Sequence, residues 1–140
     1  MKLEDYKVPL KIKLAGLWTS VMFCYIYNDY FELYQPGQLR EMLQGIVGPL
    51  GHVTQGVLFG TAVLLAIPSL MIVLSLALNA KISRWLNIVL GVVYTLIELM
   101  TIPGSWFYFS FFCGIEVVLT LLIFWCAWTW PRQASDAAVN

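Results

Sequence analysis

Residues 54–78 carry no charged side chain, and three further stretches carry only one or two acids each. A helix needs roughly 20 predominantly apolar residues to cross the hydrocarbon of a bilayer. Only 11% of the chain is charged while 60% is hydrophobic; a soluble domain carries roughly 25% charged residues. So few charges could not cover the surface of a water-soluble fold of this length. The sequence therefore reads as an all-α integral membrane protein whose first partner is the lipid bilayer.

Four spans are expected, at about 14–34, 54–78, 85–102 and 105–130, with a basic segment 1–13 before them and a tail 131–140 after. The punctuation agrees. "QPGQ" closes the first span, "GPLG" precedes the second, "NAKIS" (79–83) is a polar turn and "IPGS" is a tight one. "LREMLQGIVG" (39–48) has the pattern of a short amphipathic helix lying in the interface. Short connections force neighbouring helices antiparallel, so the expected architecture is an up-down four-helix bundle. Pro68 is expected to kink the second span, with Thr61 and Ser69 available to satisfy the freed backbone groups.

Lys2, Lys7, Lys11 and Lys13 precede the first span, Lys81 and Arg84 lie between the second and third, and Arg132 follows the fourth. The opposite loops contain Arg40 as their single basic residue. The positive-inside rule then places both termini in the cytoplasm. Trp85, Trp128 and Trp130 fall near the expected inner interface, Tyr34 and Trp106 near the outer one. The apolar run after the first lysines exceeds a signal-peptide core and lacks a small-residue cleavage site, so it reads as a retained span.

"YIYNDYFELY" puts Asn28, Asp29 and Glu32 inside the first span. Asp29 lies about 15 residues beyond Leu14, or roughly 22 Å into the crossing at 1.5 Å per residue. Glu98 falls in the outer half of the third span, Glu116 near the middle of the fourth, and Glu32 near the boundary with water. At helical spacing Asn87, Gly91, Tyr94, Glu98 and Thr101 form one stripe, and Cys113, Glu116 and Thr120 a second. Trp18, Met22, Tyr25, Asp29 and Glu32 keep the same rhythm on the first span, and Gln55 begins the second. A carboxylate at the bilayer centre costs at least about 2.5 kcal/mol. The stripes are therefore expected to turn inward around a polar pocket open to the outer side. Close carboxyls cannot all ionise there, which calls for a shared proton or a bound cation. The expected ligand-binding set is Asp29, Glu116, Glu98, Tyr27, Asn28, Gln55, Tyr94 and Asn87. The competing structural reading makes Glu116 an inter-helix hydrogen-bonding group and lets Glu32, Asp29 and Glu98 face headgroup water.

Other chemistry is thinly represented. His52, the single histidine, makes no conventional zinc site without further ligands, and no metal or cofactor is expected. Cys24, Cys113 and Cys126 are far apart in apolar runs and read as buried thiols. Walker, GxGxxG, HExxH and GxSxG motifs are absent from the sequence. Zero net charge and the lack of a basic stripe argue against nucleic acid. "GVLFG" offers Gly56 and Gly60 for close helix packing, within one chain or in a homodimer.

"LWTSVMFCYIYNDYFELYQPG", "TQGVLFGTAVLLAIP", "RWLNIVLGVVYT" and "IEVVLTLLIFWCAWTW", in that order, resemble a family of small bacterial four-span membrane proteins of unknown function. The likeness runs from Leu17 to Trp130, and its most specific pieces are Tyr-Ile-Tyr-x-Asp, Thr-Gln-Gly and Arg-Trp-x-Asn. Carried onto this chain, the family pattern marks Tyr27, Asp29, Thr54, Gln55, Arg84, Asn87 and Glu116; Glu98 stands outside it. The resemblance implies a bacterial inner-membrane bundle and no particular activity.

Three functions fit these residues. One is the binding or transport of a proton, a cation or a small cationic or amphipathic solute at Asp29 and Glu116. The chain shows no inverted repeat to support a transporter. A second is a cofactor-independent acid/base enzyme on a lipophilic substrate, with Asp29 and Glu116 as the pair and Tyr27 or Gln55 orienting a substrate oxygen. The third is an accessory subunit that docks its polar face on another membrane protein.

Overall fold

The computed structural model describes residues 3 and 5–131. Lys2, Arg132 and the tail from 132 onward, which enter the expectations above, lie outside the described residues. In chain order the elements are α1 (Leu10–Glu32), α2 (Gln38–Leu43), a hairpin of β1 (Ile46–Val47) and β2 (Gly51–His52), α3 (Gln55–Ala77), α4 (Ala80–Thr101) and α5 (Phe107–Trp128). A single 3-10 turn, Gly48–Leu50, joins the strands, and Ile46 pairs with His52 and Val47 with Gly51.

Side-chain caps decide where two of the long helices begin. The Thr54 hydroxyl accepts a hydrogen bond from Val57 N at 3.2 Å, and the Asn79 carbonyl oxygen accepts one from Ile82 N at 3.0 Å. The second cap explains a difference from the sequence expectation. The polar turn expected at 79–83 shrinks to Leu78 and Asn79, and α4 starts at Ala80 instead of near 85. Arg84 is then helical, and its guanidinium reaches the end of α5. It donates from Nε to Ala127 O at 3.2 Å and from Nη2 to Trp128 O at 3.4 Å. Lys11 does the same for α3 by donating to Leu76 O at 3.3 Å and to Leu78 O. Both cations satisfy carbonyls that a helix C-terminus leaves unpaired.

The same bonds fix direction. Lys11 ties the start of α1 to the end of α3, and Arg84 ties the start of α4 to the end of α5. The four long helices therefore run alternately up and down. α1 packs against α3 and α5, and α4 lies along α5. The expected interfacial helix over 39–48 is cut short. α2 ends at Leu43, Gly45 takes a left-handed φ of 74°, and the chain turns into the hairpin. No α2 residue is buried, and Leu39 and Leu43 are exposed.

Three helices, α3, α4 and α5, are long and apolar enough to cross a membrane. α1, which carries Lys11, Lys13, Asp29 and Glu32, is not among them. The distribution of residues is consistent with a membrane protein. Leu58, Phe59, Leu70, Val73, Val118 and Trp125 are all more than half exposed. Ser75, Ser83, Asn87, Thr95, Glu98, Glu116 and Thr120 are buried. The apolar core is small: Leu14, Trp18, Val21, Met71, Tyr94 and Ile123. Trp18 and Tyr94 meet edge to face at 5.8 Å.

Pro68 sits inside α3 and has no N–H to give Leu64 O. Neither residue expected to compensate does so, since Thr61 bonds to Val57 O and Ser69 to Leu65 O. Tyr94 does it from another helix, its hydroxyl donating to Leu64 O at 2.6 Å. The proline thus creates the acceptor that α4 uses to grip α3. The close approach of helices lies at Gly91, not at the GxxxG. A Cβ on Gly91 would stand 3.1 Å from Phe124 N and 3.2 Å from Thr120 O, both backbone atoms of α5. Gly56 and Gly60 are exposed, and a Cβ on Gly60 would meet nothing within 4 Å.

Two outcomes follow for thermal unfolding in detergent. Tyr94→Phe costs about 1 kcal/mol, and most of that cost disappears in a Pro68→Ala background, where residue 68 supplies the missing N–H. Gly91→Ala costs about 1–3 kcal/mol through forced separation of α4 and α5, whereas Gly60→Ala in a monomer costs nothing measurable.

Candidate functional site

The buried polar groups fall into two sets at different depths. Nearer the start of α1, the Trp18 indole donates from Nε1 to Asn87 Oδ1 at 2.7 Å. Asn87 Nδ2 donates to Ser83 O at 2.8 Å and to Ser75 Oγ at 3.2 Å. This knot joins α1, α3 and α4, and both ends of the Asn87 amide are occupied. Asn87 and Tyr94, expected among the binding residues, are spent on holding helices together.

Deeper along α4, the Thr95 hydroxyl lies 2.7 Å from both Gly91 O and Thr120 Oγ1, and Thr120 donates to Glu116 O at 2.9 Å. One turn beyond this clasp the bonding changes character. Glu98 from α4 and Cys113 and Glu116 from α5 are all buried, and their ligand atoms lie within 4.8 Å of one another. Glu116 is 1% exposed, yet neither of its carboxyl oxygens has a hydrogen-bond partner. Asn28 of α1, 4% exposed, lies over Cys113 with its amide nitrogen 4.0 Å from Sγ, and its Oδ1 is also without a partner. The Tyr25 hydroxyl, buried and unpartnered as well, faces Glu98. Thr101 Oγ1 stands 3.7 Å from Cys113 Sγ.

Helical phase explains which residues meet. On α4 the expected stripe of Asn87, Gly91, Tyr94 and Glu98 is buried, and on α5 so is that of Cys113, Glu116 and Thr120. On α1 the buried residues are Leu14, Ala15, Trp18, Val21 and Asn28. The expected rhythm holds at Trp18 and Tyr25 but not at Met22 and Asp29, whose neighbours Val21 and Asn28 are the buried residues. Asn28 takes the inward place, and Asp29, its neighbour, is exposed. The acid facing Glu116 is Glu98, where the sequence favoured Asp29. Tyr27 and Gln55 are also exposed. Glu32 is half-buried and accepts from Gln38 Nε2 at 2.8 Å, which ties it to the connecting segment. Cys113, Tyr25 and Thr101 stand in the expected inward stripes but outside the expected binding set. Their signal was present in the i, i+3 spacing of Cys113 and Glu116 and in the shared stripe of Glu98 and Thr101.

Beyond the acids, Phe31 stacks on Phe112 at 6.2 Å and packs on Tyr108 at 6.1 Å, while Gln35 donates to the Tyr108 hydroxyl. Aromatic rings thus stand between the acids and that end of the molecule. At the opposite end a cleft of about 660 Å³ is lined by Lys11, Lys81, Arg84, Trp85 and Trp130, well removed from the carboxyls.

A family model described as a family of unknown function (DUF6326) matches residues 1–137. The chain belongs to this family. No curated protein and no solved structure matches it. Membership of DUF6326 bears out the likeness to a family of unknown function and brings no activity with it.

The two polar sets respond differently to substitution. Asn87→Ala strands the Trp18 indole and costs about 2 kcal/mol. Glu116→Gln, which removes an unpartnered buried acid and keeps its shape, leaves thermal stability in detergent unchanged or raises it. A large loss in Glu116→Gln would make that residue a structural member like Asn87.

Proposed function

We propose that this DUF6326 protein is a four-helix up-down membrane bundle that takes up a proton or a cation between α1, α4 and α5. In this reading α1 crosses with the other three helices. Its lysines stay at the cytoplasmic surface, and its buried face, Trp18 to Asn28, closes the pocket. The distribution of basic residues favours cytoplasmic termini, and the resemblance in the sequence favours a bacterial inner membrane.

One observation carries the proposal. The unpartnered atoms in the pocket are three acceptors, Glu116 Oε1, Glu116 Oε2 and Asn28 Oδ1, and one hydroxyl, Tyr25 Oη. Buried acceptors left bare cost about 1–3 kcal/mol each, more when charged. Elsewhere in the interior the chain meets its polar groups carefully, as at Asn87 and Leu64 O. A pocket short of donors is completed by something positive: a proton shared between Glu98 and Glu116, a metal cation, or the head of a small cationic solute. Membrane-embedded carboxyls of this kind are the usual exchange groups of proton- and cation-coupled proteins. Asp29, exposed on the adjacent face of α1, is placed to receive a cation on its way in.

Thermal unfolding of detergent-purified protein tests the reading, with pH steps, mono- and divalent cations and a lipophilic cation as additions. At a hundredfold excess over its dissociation constant a bound ligand stabilises by about 2.7 kcal/mol. At least one of these additions is expected to shift the unfolding temperature, and Glu116→Gln is expected to abolish the shift. A response to none of them, or a response unchanged by both Glu116→Gln and Glu98→Gln, contradicts the proposal.

A further inference from the structure

We infer that Glu98, Cys113 and Glu116, with Asn28 as a fourth ligand, form a site for a divalent transition-metal cation of the zinc class. The inference rests on the cation-binding reading above and names the chemistry of the cation.

The donor set decides the class. A pocket for sodium, potassium, magnesium or calcium is built of oxygens alone. Here a cysteine sulfur shares the centre with two carboxyls from different helices, their ligand atoms within 4.8 Å. Thiolate with carboxylate suits a cation of borderline softness, with metal–sulfur bonds of about 2.3 Å and metal–oxygen bonds of about 2.0–2.2 Å. Ligand atoms around such a tetrahedral ion stand about 3.5 Å apart, so the side chains close on it by roughly an ångström. Two residues of the set, Cys113 and Glu116, come from one face of α5, and Glu98 comes from the facing side of α4.

Asn28 supplies the independent support. It is buried at 4% exposure, its amide touches Cys113 Sγ, and its carbonyl oxygen is unpartnered. The nitrogen is the amide atom turned to Cys113, and rotation of the amide plane about Cβ–Cγ would bring the unpartnered oxygen to the same place, offering it to a metal at no charge cost. Thr101 Oγ1, 3.7 Å from Cys113 Sγ, donates to Glu98 O at 2.8 Å and so accepts from the thiol; turning that hydroxyl from Glu98 O to the sulfur would support a thiolate. Charge can balance as well: a thiolate and one carboxylate neutralise a dication, and any proton these ligands hold beforehand is released on binding.

Cobalt(II), which reports its ligands by colour, is the probe. Titration of the detergent-purified chain with cobalt chloride is expected to give one bound ion per chain with a near-ultraviolet sulfur-to-cobalt charge-transfer band, both displaced by zinc. Cys113→Ser, close in size to the native residue, is expected to lose the band and bind at least tenfold more weakly. Cys24→Ser and Cys126→Ser are expected to keep it. Absence of stoichiometric cobalt, or a band that survives Cys113→Ser, overturns the inference. If cobalt fails to bind while another cation or a pH step still gives a Glu116-dependent stability shift, the metal assignment falls and the acid-pocket reading stands. If neither effect occurs, both fall.

Discussion

A polar group in the hydrocarbon of a membrane has no water to turn to, so the protein itself must satisfy it. That constraint organises the molecule more than apolar burial does. Leucines and valines lie largely exposed on the outside of the long helices, and the apolar core is correspondingly small. What distinguishes inside from outside is polarity: serine, threonine, asparagine and glutamate face one another across helices. Each such meeting fixes a relative depth and rotation. The Trp18–Asn87–Ser75 knot sets three helices together, Tyr94 hooks the carbonyl left free by Pro68, and the Thr95–Thr120 clasp holds α4 on α5 beside Gly91.

Against that background the acid pocket stands out by contrast. The same interior that meets both ends of the Asn87 amide leaves both oxygens of Glu116 and the oxygen of Asn28 bare. A chain selected only for a stable bundle gains nothing from a second and a third buried acceptor with no donor. In the proposed reading a bound positive species supplies the missing partner. The Thr95–Thr120 clasp lies one turn away along α4 and α5, and Phe31, Tyr108 and Phe112 pack together beyond the acids.

Much of this was legible before any coordinates. The helix bounds at 10–32, 55–77 and 107–128 follow the apolar stretches closely, and the stripes on α4 and α5 are read directly from i+3 and i+4 spacing. α1 was harder. Its polar residues Asn28, Asp29 and Glu32 crowd into two turns, and a 3.6-residue period admits either Asn28 or Asp29 on the buried face. Only the phase set by Leu14, Trp18 and Val21 decides for Asn28. The start of α4 was misplaced because Lys81 and Arg84 look like a loop, whereas Arg84 is a helical residue capping α5. Tyr94 as the partner of Leu64 O was not legible at all, since nothing in the sequence says which helix faces the proline.

The central claim is that Glu98 and Glu116 share one enclosed space and one positive charge. Infrared difference spectroscopy in heavy water, recorded as the pH is stepped, addresses it most directly, because a protonated carboxyl absorbs apart from a carboxylate. The account predicts a protonated-carboxyl band that Glu116→Gln removes and Glu98→Gln displaces, with Asp29→Asn leaving it in place. A spectrum in which the two acids respond independently, each blind to substitution of the other, would contradict it.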